Sequence, residues 1–171
     1  EQRMNVDHLR VQLEDDLGAG CKPFMVVATA GTVSTGAVDP LLAIHRVARD
    51  YDLWFHVDGA YGAPAAALPE ADEELTALTL ADSIALDPHK WLYAPLEAAC
   101  TLVRDRQFLV DAFTYRPPYY RFDDNEEQSG NDYYSLGLQN SRGFRALKVW
   151  LALRHCGRQG YVVLIRNDID Q

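Results

Sequence analysis

Residues 24–58 read FMVVATAGTVSTGAVDPLLAIHRVARDYDLWFHVD, and the order of patterns within them decides the fold class. FMVVATA, 24–30, is a continuous apolar run, as expected for a strand buried on both faces of a parallel sheet. Gly31 ends it, and GTVSTG is a loop. Asp39-Pro40 predicts an N-cap followed by proline at the first helical position. Leu41, Ile44, Val47 or Ala48, and Tyr51 recur at helical spacing, so a helix is expected from about Leu41 to Tyr51. LWFHV, 53–57, is the next strand and ends at Asp58. Strand, helix and strand in this order make a βαβ unit and place the chain in the α/β class.

Outward from this unit, GAPAAALPEADEEL, 62–75, is loop-like with a short helix near Glu73. SIAL, 83–86, is a third strand, and AACTLVRD, 98–105, is a fourth. RDRQFLVDAF, 104–113, reads as a short helix. TYRPPYYRFDDNEEQSGND, 114–132, is a long polar and aromatic loop with adjacent prolines. Loops of that length inside a compact domain are often functional. A final helix is expected from Gly143 to about Cys156. Phe144, Leu147 and Leu151 form one stripe, Trp150 and Leu153 lie beside it, and Gly157 suits the C-cap.

Composition narrows the function. The chain has 171 residues, a hydrophobic fraction of 48%, a net charge of −9 and a pI near 4.9. That is enough apolar material for one core, and the acidity argues against nucleic acid or anionic lipid as partner. Three widely spaced cysteines, Cys21, Cys100 and Cys156, cannot all pair and have no zinc-ligand spacing, so no metal site is expected. A reducing, cytoplasmic setting is the simplest expectation. No signal peptide begins at Glu1, and no apolar run is long enough to span a bilayer.

Two charges stand out at strand ends. Asp58 ends LWFHV among the small residues Gly59, Ala60 and Gly62. In open α/β sheets the carboxyl ends of strands face the ligand crevice. A carboxylate there should have a cationic partner, and something flat could lie against the small residues. A turn or capping role for Asp58 is the plainer alternative. Lys90 follows SIAL by a few residues, after Pro88 and His89, and should reach the same edge. A lysine in a partly dry cleft can attack a carbonyl to form a Schiff base; a surface lysine beside a histidine is the plainer alternative. His89 could donate to an anionic group. Together Lys90 and Asp58 are what pyridoxal phosphate needs: an amine for its aldehyde carbon, and an anion that keeps its pyridine nitrogen protonated.

ATAGTVSTGAVDP (28–40), WFHVDGAYG (54–62), ADSIALDPHKWLYAP (81–95) and NSRGFRALKVWLALRHCG (140–157) occur in that order over nearly the whole chain. Jointly they make it resemble the group II pyridoxal-phosphate-dependent amino acid decarboxylases, which include the aromatic-L-amino-acid, tyrosine, histidine and glutamate decarboxylases. The resemblance implies an α/β fold that is a partial large domain of a type I, aspartate aminotransferase-like enzyme. Residues 1–171 would be the C-terminal part of the coenzyme-binding large domain. The upstream part of that domain, with its ring-stacking histidine and phosphate-gripping loop, and the small C-terminal domain would lie outside this stretch.

By resemblance, Lys90 carries pyridoxal 5'-phosphate and Asp58 partners its ring nitrogen. Ala60 packs under the ring, Thr32 lies beside the ring or the substrate, and His89 touches the phosphate. Thr32 is equally readable as an ordinary loop hydroxyl. FTYRPPYY, 113–120, resembles the mobile loop that closes over substrate, with Tyr119 at the position of the tyrosine that protonates the α-carbon. Tyr120 is the alternative if the register slips by one, and a tyrosine cluster packed at a dimer surface is the alternative to both. Many animal members have Asn where this chain has Asp87, and there the Asn helps hold the phosphate. A carboxylate at that place would repel a phosphate, so Asp87 is expected to turn elsewhere or bond a backbone N–H.

The resemblance thus implies α-decarboxylation of an L-amino acid, an aromatic one on family branch, to the amine and carbon dioxide. The expected partners are the small amino acid substrate and a second copy or a companion chain that completes the large domain. The alternatives are another type I reaction, transamination or aldehyde-forming oxidative deamination, and a non-catalytic piece that works only with a partner chain.

Overall fold

The computed structural model describes residues 2–115 and 133–171. The chain divides into two compact units, Glu1–Leu102 with Arg145–Gln171, and Val103–Phe144.

The larger unit begins with a helix that the apolar pattern did not announce, α1 (Val6–Gly18). Asn5 caps it, its side chain accepting from the His8 N–H. The strands follow the predicted order: β1 (Met25–Thr29), then α2 (Leu41–Asp50), then β2 (Trp54–Asp58), and later β3 (Ser83–Leu86) and β4 (Cys100–Val103). The sheet order is β1-β2-β3-β4. β1 and β2 run parallel with Thr29 opposite Asp58, and β2 and β3 run parallel with Asp58 opposite Ala85.

One face of this sheet carries the core. Val26, Ala28, Phe55 and Val57 point into it and meet Leu41, Ile44 and Val47 of α2, Leu13 of α1, and Leu75 and Ala77 of the 3-10 segment Glu73–Leu80. The alternate residues Met25 and Val27 are 42% and 46% exposed. The apolar run 24–30 is therefore buried on one face only within the described residues, where the sequence suggested both. The period-2 side-chain alternation of a strand sends Met25 and Val27 to the face that α1 and α2 do not cover.

Asp39 also departs from expectation. The residue before α2 is Pro40, with no side-chain cap. Asp39 is instead buried, 8% exposed, and its two carboxylate oxygens accept the Met4 N–H at 2.7 Å and the Thr29 N–H at 2.8 Å. The α2 start is served from a distance, as the Glu74 carboxylate accepts the Leu42 N–H at 2.8 Å. Asp39 thus ties the N-terminal segment to the end of β1. Asp39→Asn replaces one acceptor by a donor facing an N–H. It should cost about 2–3 kcal/mol, the range for buried hydrogen bonds to a charged group. Urea unfolding of the complete protein checks this, and an unchanged midpoint would remove Asp39 from the structural role.

The last helix, α4 (Arg145–Ile169), is longer than the sequence suggested. Gly157 does break it, with φ 65° and ψ 169°, a conformation glycine adopts without a Cβ penalty. The chain then resumes the helix, and Tyr161, Val162 and Ile165 pack with Leu68 as a second cluster. Tyr161 donates its hydroxyl to the Leu92 carbonyl at 2.8 Å, and Tyr93 donates to Asp168. This second half of α4 therefore braces the segment just after Lys90.

In the smaller unit, α3 (Arg106–Phe113) is capped by Asp105, whose side chain accepts the Gln107 N–H at 2.8 Å. It packs against the 3-10 turn Tyr133–Leu136. Tyr119 and Tyr120 lie outside the described residues. Among the described residues no helix is long and apolar enough to cross a membrane, and no cluster of candidate metal ligands occurs.

Candidate active site

The loops that leave β1, β2 and β3 emerge at one edge of the sheet, because the three strands are parallel and in register. Thr32 follows β1, Asp58 ends β2 with Ala60 just beyond it, and His89 and Lys90 follow β3. This is the carboxyl edge where α/β sheets bind ligands.

Close backbone contacts lock the edge. The Ala30 N–H donates to the Asp58 carbonyl at 2.8 Å, and the Gly59 N–H donates to the Ala85 carbonyl at 3.0 Å. Gly31 and Gly62 meet backbone to backbone. A Cβ on Gly62 would stand 2.5 Å from the Ala30 oxygen and 2.7 Å from the Gly31 Cα. Gly31 also has a φ of +84°. The small residues around Asp58 therefore do structural work in bringing the β1 and β2 loops together. Tyr61 and Trp91, neighbours in sequence of Ala60 and Lys90, meet at a tilt of 52° with 4.9 Å between ring centroids. Such a pair contributes about 0.5–1.5 kcal/mol beyond its buried area and joins the Asp58 loop to the Lys90 loop.

Asp58 is exposed, and one carboxylate oxygen accepts the Ala60 N–H at 3.1 Å. Among the described residues it has no cationic partner, contrary to the expectation of one. Lys90 does not pair with it. The Lys90 Nζ lies 2.8 Å from Oδ2 of Asp87. Asp87, which was expected to turn away or bond a backbone N–H, is thus the counter-ion of Lys90. A turn makes this pair: the Lys90 N–H donates to the Asp87 carbonyl at 2.9 Å, which brings the two side chains to one side.

His89 is held at one nitrogen. Nδ1 contacts both the Ala98 carbonyl and, at 3.2 Å, the Ala98 N–H. A single nitrogen cannot donate to one and accept from the other at once. Both contacts occupy Nδ1, so Nε2 is the ring nitrogen that would meet an external anion. Thr32 turns inward on its own loop, its Oγ1 at 2.8 Å from the Thr35 Oγ1 and its N–H on the Ala37 carbonyl at 3.0 Å.

Behind Asp58 lies a polar trio that the sequence did not single out. The Ser83 hydroxyl accepts from Trp54 Nε1 at 2.8 Å and lies 2.7 Å from His56 Nδ1. The only signal for it was the side-chain period: Trp54, His56 and Asp58 alternate along β2, and Ser83 is opposite His56. Cys100 at the β4 start is half-buried, and burial, helped by the Asp87 charge, pushes its thiol pKa up.

An amine, a carboxylate without a cationic partner among the described residues, and several small residues thus lie in loops at the carboxyl edge of one parallel sheet. The chemistry of this donor set, an amine, a carboxylate and an imidazole, is of a kind that could hold pyridoxal phosphate.

The model of the pyridoxal-dependent decarboxylase conserved domain matches residues 1–171, and the chain belongs to that family. It is 39% identical over 168 residues to an aromatic-L-amino-acid decarboxylase of Bacillus atrophaeus, covering 98% of this chain and 34% of that protein. It is 35% identical over 170 residues to 4-hydroxyphenylacetaldehyde synthase of Rhodiola rosea, covering 99% of this chain and 34% of that protein. The crystal structure of Oryza sativa TDC with PLP and tryptamine superposes with a TM-score of 0.89 at 33% identity, covering 98% of this chain and 34% of that one. The chain spans about a third of the length of these relatives.

Proposed function

We propose that this chain is the C-terminal part of the coenzyme-binding large domain of a pyridoxal-phosphate-dependent enzyme. The complete protein decarboxylates an aromatic L-amino acid at its α-carbon to the amine and carbon dioxide. The observation that carries this reading is that Asp58 and Lys90 follow adjacent parallel strands at one sheet edge, their loops joined by the Tyr61–Trp91 pair. The names of the relatives support the reaction and the aromatic substrate class.

The described residues take roles compatible with their positions at the sheet edge, and the loop tyrosines take theirs from the resemblance. Lys90 holds the coenzyme aldehyde through Nζ and yields it to the substrate amine. Asp58 faces the pyridine nitrogen and keeps a hydrogen on it. Ala60 offers a small surface to one ring face, Thr32 borders the ring or substrate, and His89 presents Nε2 to the phosphate. When bound, the coenzyme supplies an electron sink for the pair left by the departing carboxylate. Tyr119 then gives a proton to the α-carbon, and Tyr120 is the neighbour that would do so in the other register.

A homodimer in the cytoplasm completes the proposal. The exposed apolar side chains of α4, Trp150 at 56% and Leu151 at 52%, are surfaces that a second copy or the remainder of the large domain would cover. The unpaired cysteines suit a reducing compartment.

The Rhodiola rosea relative is named for an aldehyde product, so aldehyde formation is the second reading. Tyr119→Phe separates the two. Without the phenol the α-carbanion is protonated slowly and meets oxygen instead. The variant of the complete protein should shift product from amine to aldehyde, ammonia and peroxide while carbon dioxide release continues. Amine and peroxide assayed together decide it. A shift only in Tyr120→Phe moves the role to Tyr120, and wild-type protein that itself makes aldehyde favours the second reading.

A further inference from the structure

Lys90 is the residue that must be free at one moment and covalently engaged at another, and the structure gives it a place when free. Its Nζ sits 2.8 Å from Asp87 Oδ2, with the side chains 34% and 20% exposed. The other ionisable groups around this turn are occupied or neutral. His89 Nδ1 is engaged with Ala98, Glu97 is paired with Arg145, and burial together with Asp87 keeps the Cys100 thiol protonated near neutral pH. Among the described residues Asp87 is the one ion-pair partner of Lys90.

We propose that Asp87 is a positioning residue that holds the Lys90 side chain in place whenever the lysine is not bonded to a carbonyl carbon. This rests on the reading of Lys90 as the coenzyme lysine. An amine attacks a carbonyl only when neutral, so the pair withholds the nucleophile. Attack requires the ammonium to release a proton to solvent and leave the carboxylate. The Nζ–carbon bond then forms, and the carbonyl oxygen departs as water. When a substrate amine takes the carbon back, Lys90 regains a proton and returns to Asp87, clear of the reacting carbon. A residue such as Asn at this position has no charge with which to do this.

The test uses the complete protein stripped of coenzyme and trace-labelled with acetic anhydride at neutral pH, a reagent that reads neutral amine. Lys22 and Lys148, the other lysines of this chain, are internal standards. Asp87→Asn should raise Lys90 acetylation about fivefold relative to Lys22, because the amine is no longer held against a carboxylate. Asp87→Glu keeps the charge and should return the rate to within about twofold of wild type. An unchanged Asp87→Asn rate, or Asp87→Glu as fast as Asp87→Asn, would overturn the proposal. Borohydride reduction of the loaded protein separates the two layers. Label on Lys90 with unaltered acetylation leaves Lys90 as the coenzyme lysine and removes Asp87 from its role. Label on a different lysine removes both.

Discussion

Lys90→Ala in the complete protein should lose turnover by about four orders of magnitude or more, the scale on which enzymes respond to removal of their nucleophile. The side chain supplies the amine, and no other lysine of this chain lies near the carboxyl edge in sequence: Lys22 precedes β1, and Lys148 is in α4. His89 and Asp58 remain, so the variant should still take up coenzyme without covalent attachment. A second effect follows from the ion pair. Asp87 is only 20% exposed at its side chain and loses its partner, so the variant should also melt below wild type. Calorimetry on the apo protein separates this loss from the catalytic one. Retained turnover would show that Lys90 is a surface partner of Asp87 and nothing more.

Asp58→Asn should lower kcat about a thousandfold, which is about 4 kcal/mol in barrier at about 1.4 kcal/mol per tenfold. An amide cannot hold a hydrogen on the ring nitrogen as a carboxylate does, and an unprotonated ring accepts electrons poorly. Stability should hardly move. The Asp58 side chain makes one hydrogen bond among the described residues, from the Ala60 N–H, and an Asn oxygen can accept it equally well. Steady-state kinetics and thermal melting on the same variant distinguish the roles. A large kcat loss with an unchanged melt marks the ring partner, whereas a lowered melt with normal kcat marks a turn residue.

Much of this was legible because strand ends are punctuated. β3 matches its predicted span, and β1, β2 and α2 match within a residue or two, since apolar runs there stop at Gly31, Asp58 and Asp87. Asp58 and Lys90 were readable from the same punctuation. What escaped has physical reasons. α1 buries only Leu13 and is acidic along its length, so its apolar signal is faint. Gly157 breaks α4 as a C-cap glycine would, but nothing local says that a helix resumes beyond it. Asp39-Pro40 has the form of a helix start, yet the carboxylate is captured by Met4 and Thr29, the former 35 residues away along the chain. The Lys90–Asp87 pair is three residues apart in a turn, where pairing depends on backbone conformation that spacing does not fix. Continuous apolarity in 24–30 also cannot distinguish a strand covered on both faces from one covered on a single face.

The central claim is that Lys90 is the attachment point of the coenzyme. Sodium borohydride reduction of the purified complete protein, followed by protease digestion and mass mapping, tests it most directly. Reduction fixes any carbon–nitrogen double bond as a stable pyridoxyl-lysine. That mass is expected on the peptide containing DPHKW, residues 87–91, with the modification on Lys90. A pyridoxyl group on Lys22, Lys148 or any lysine outside this stretch, with the Lys90 peptide unmodified, would contradict it.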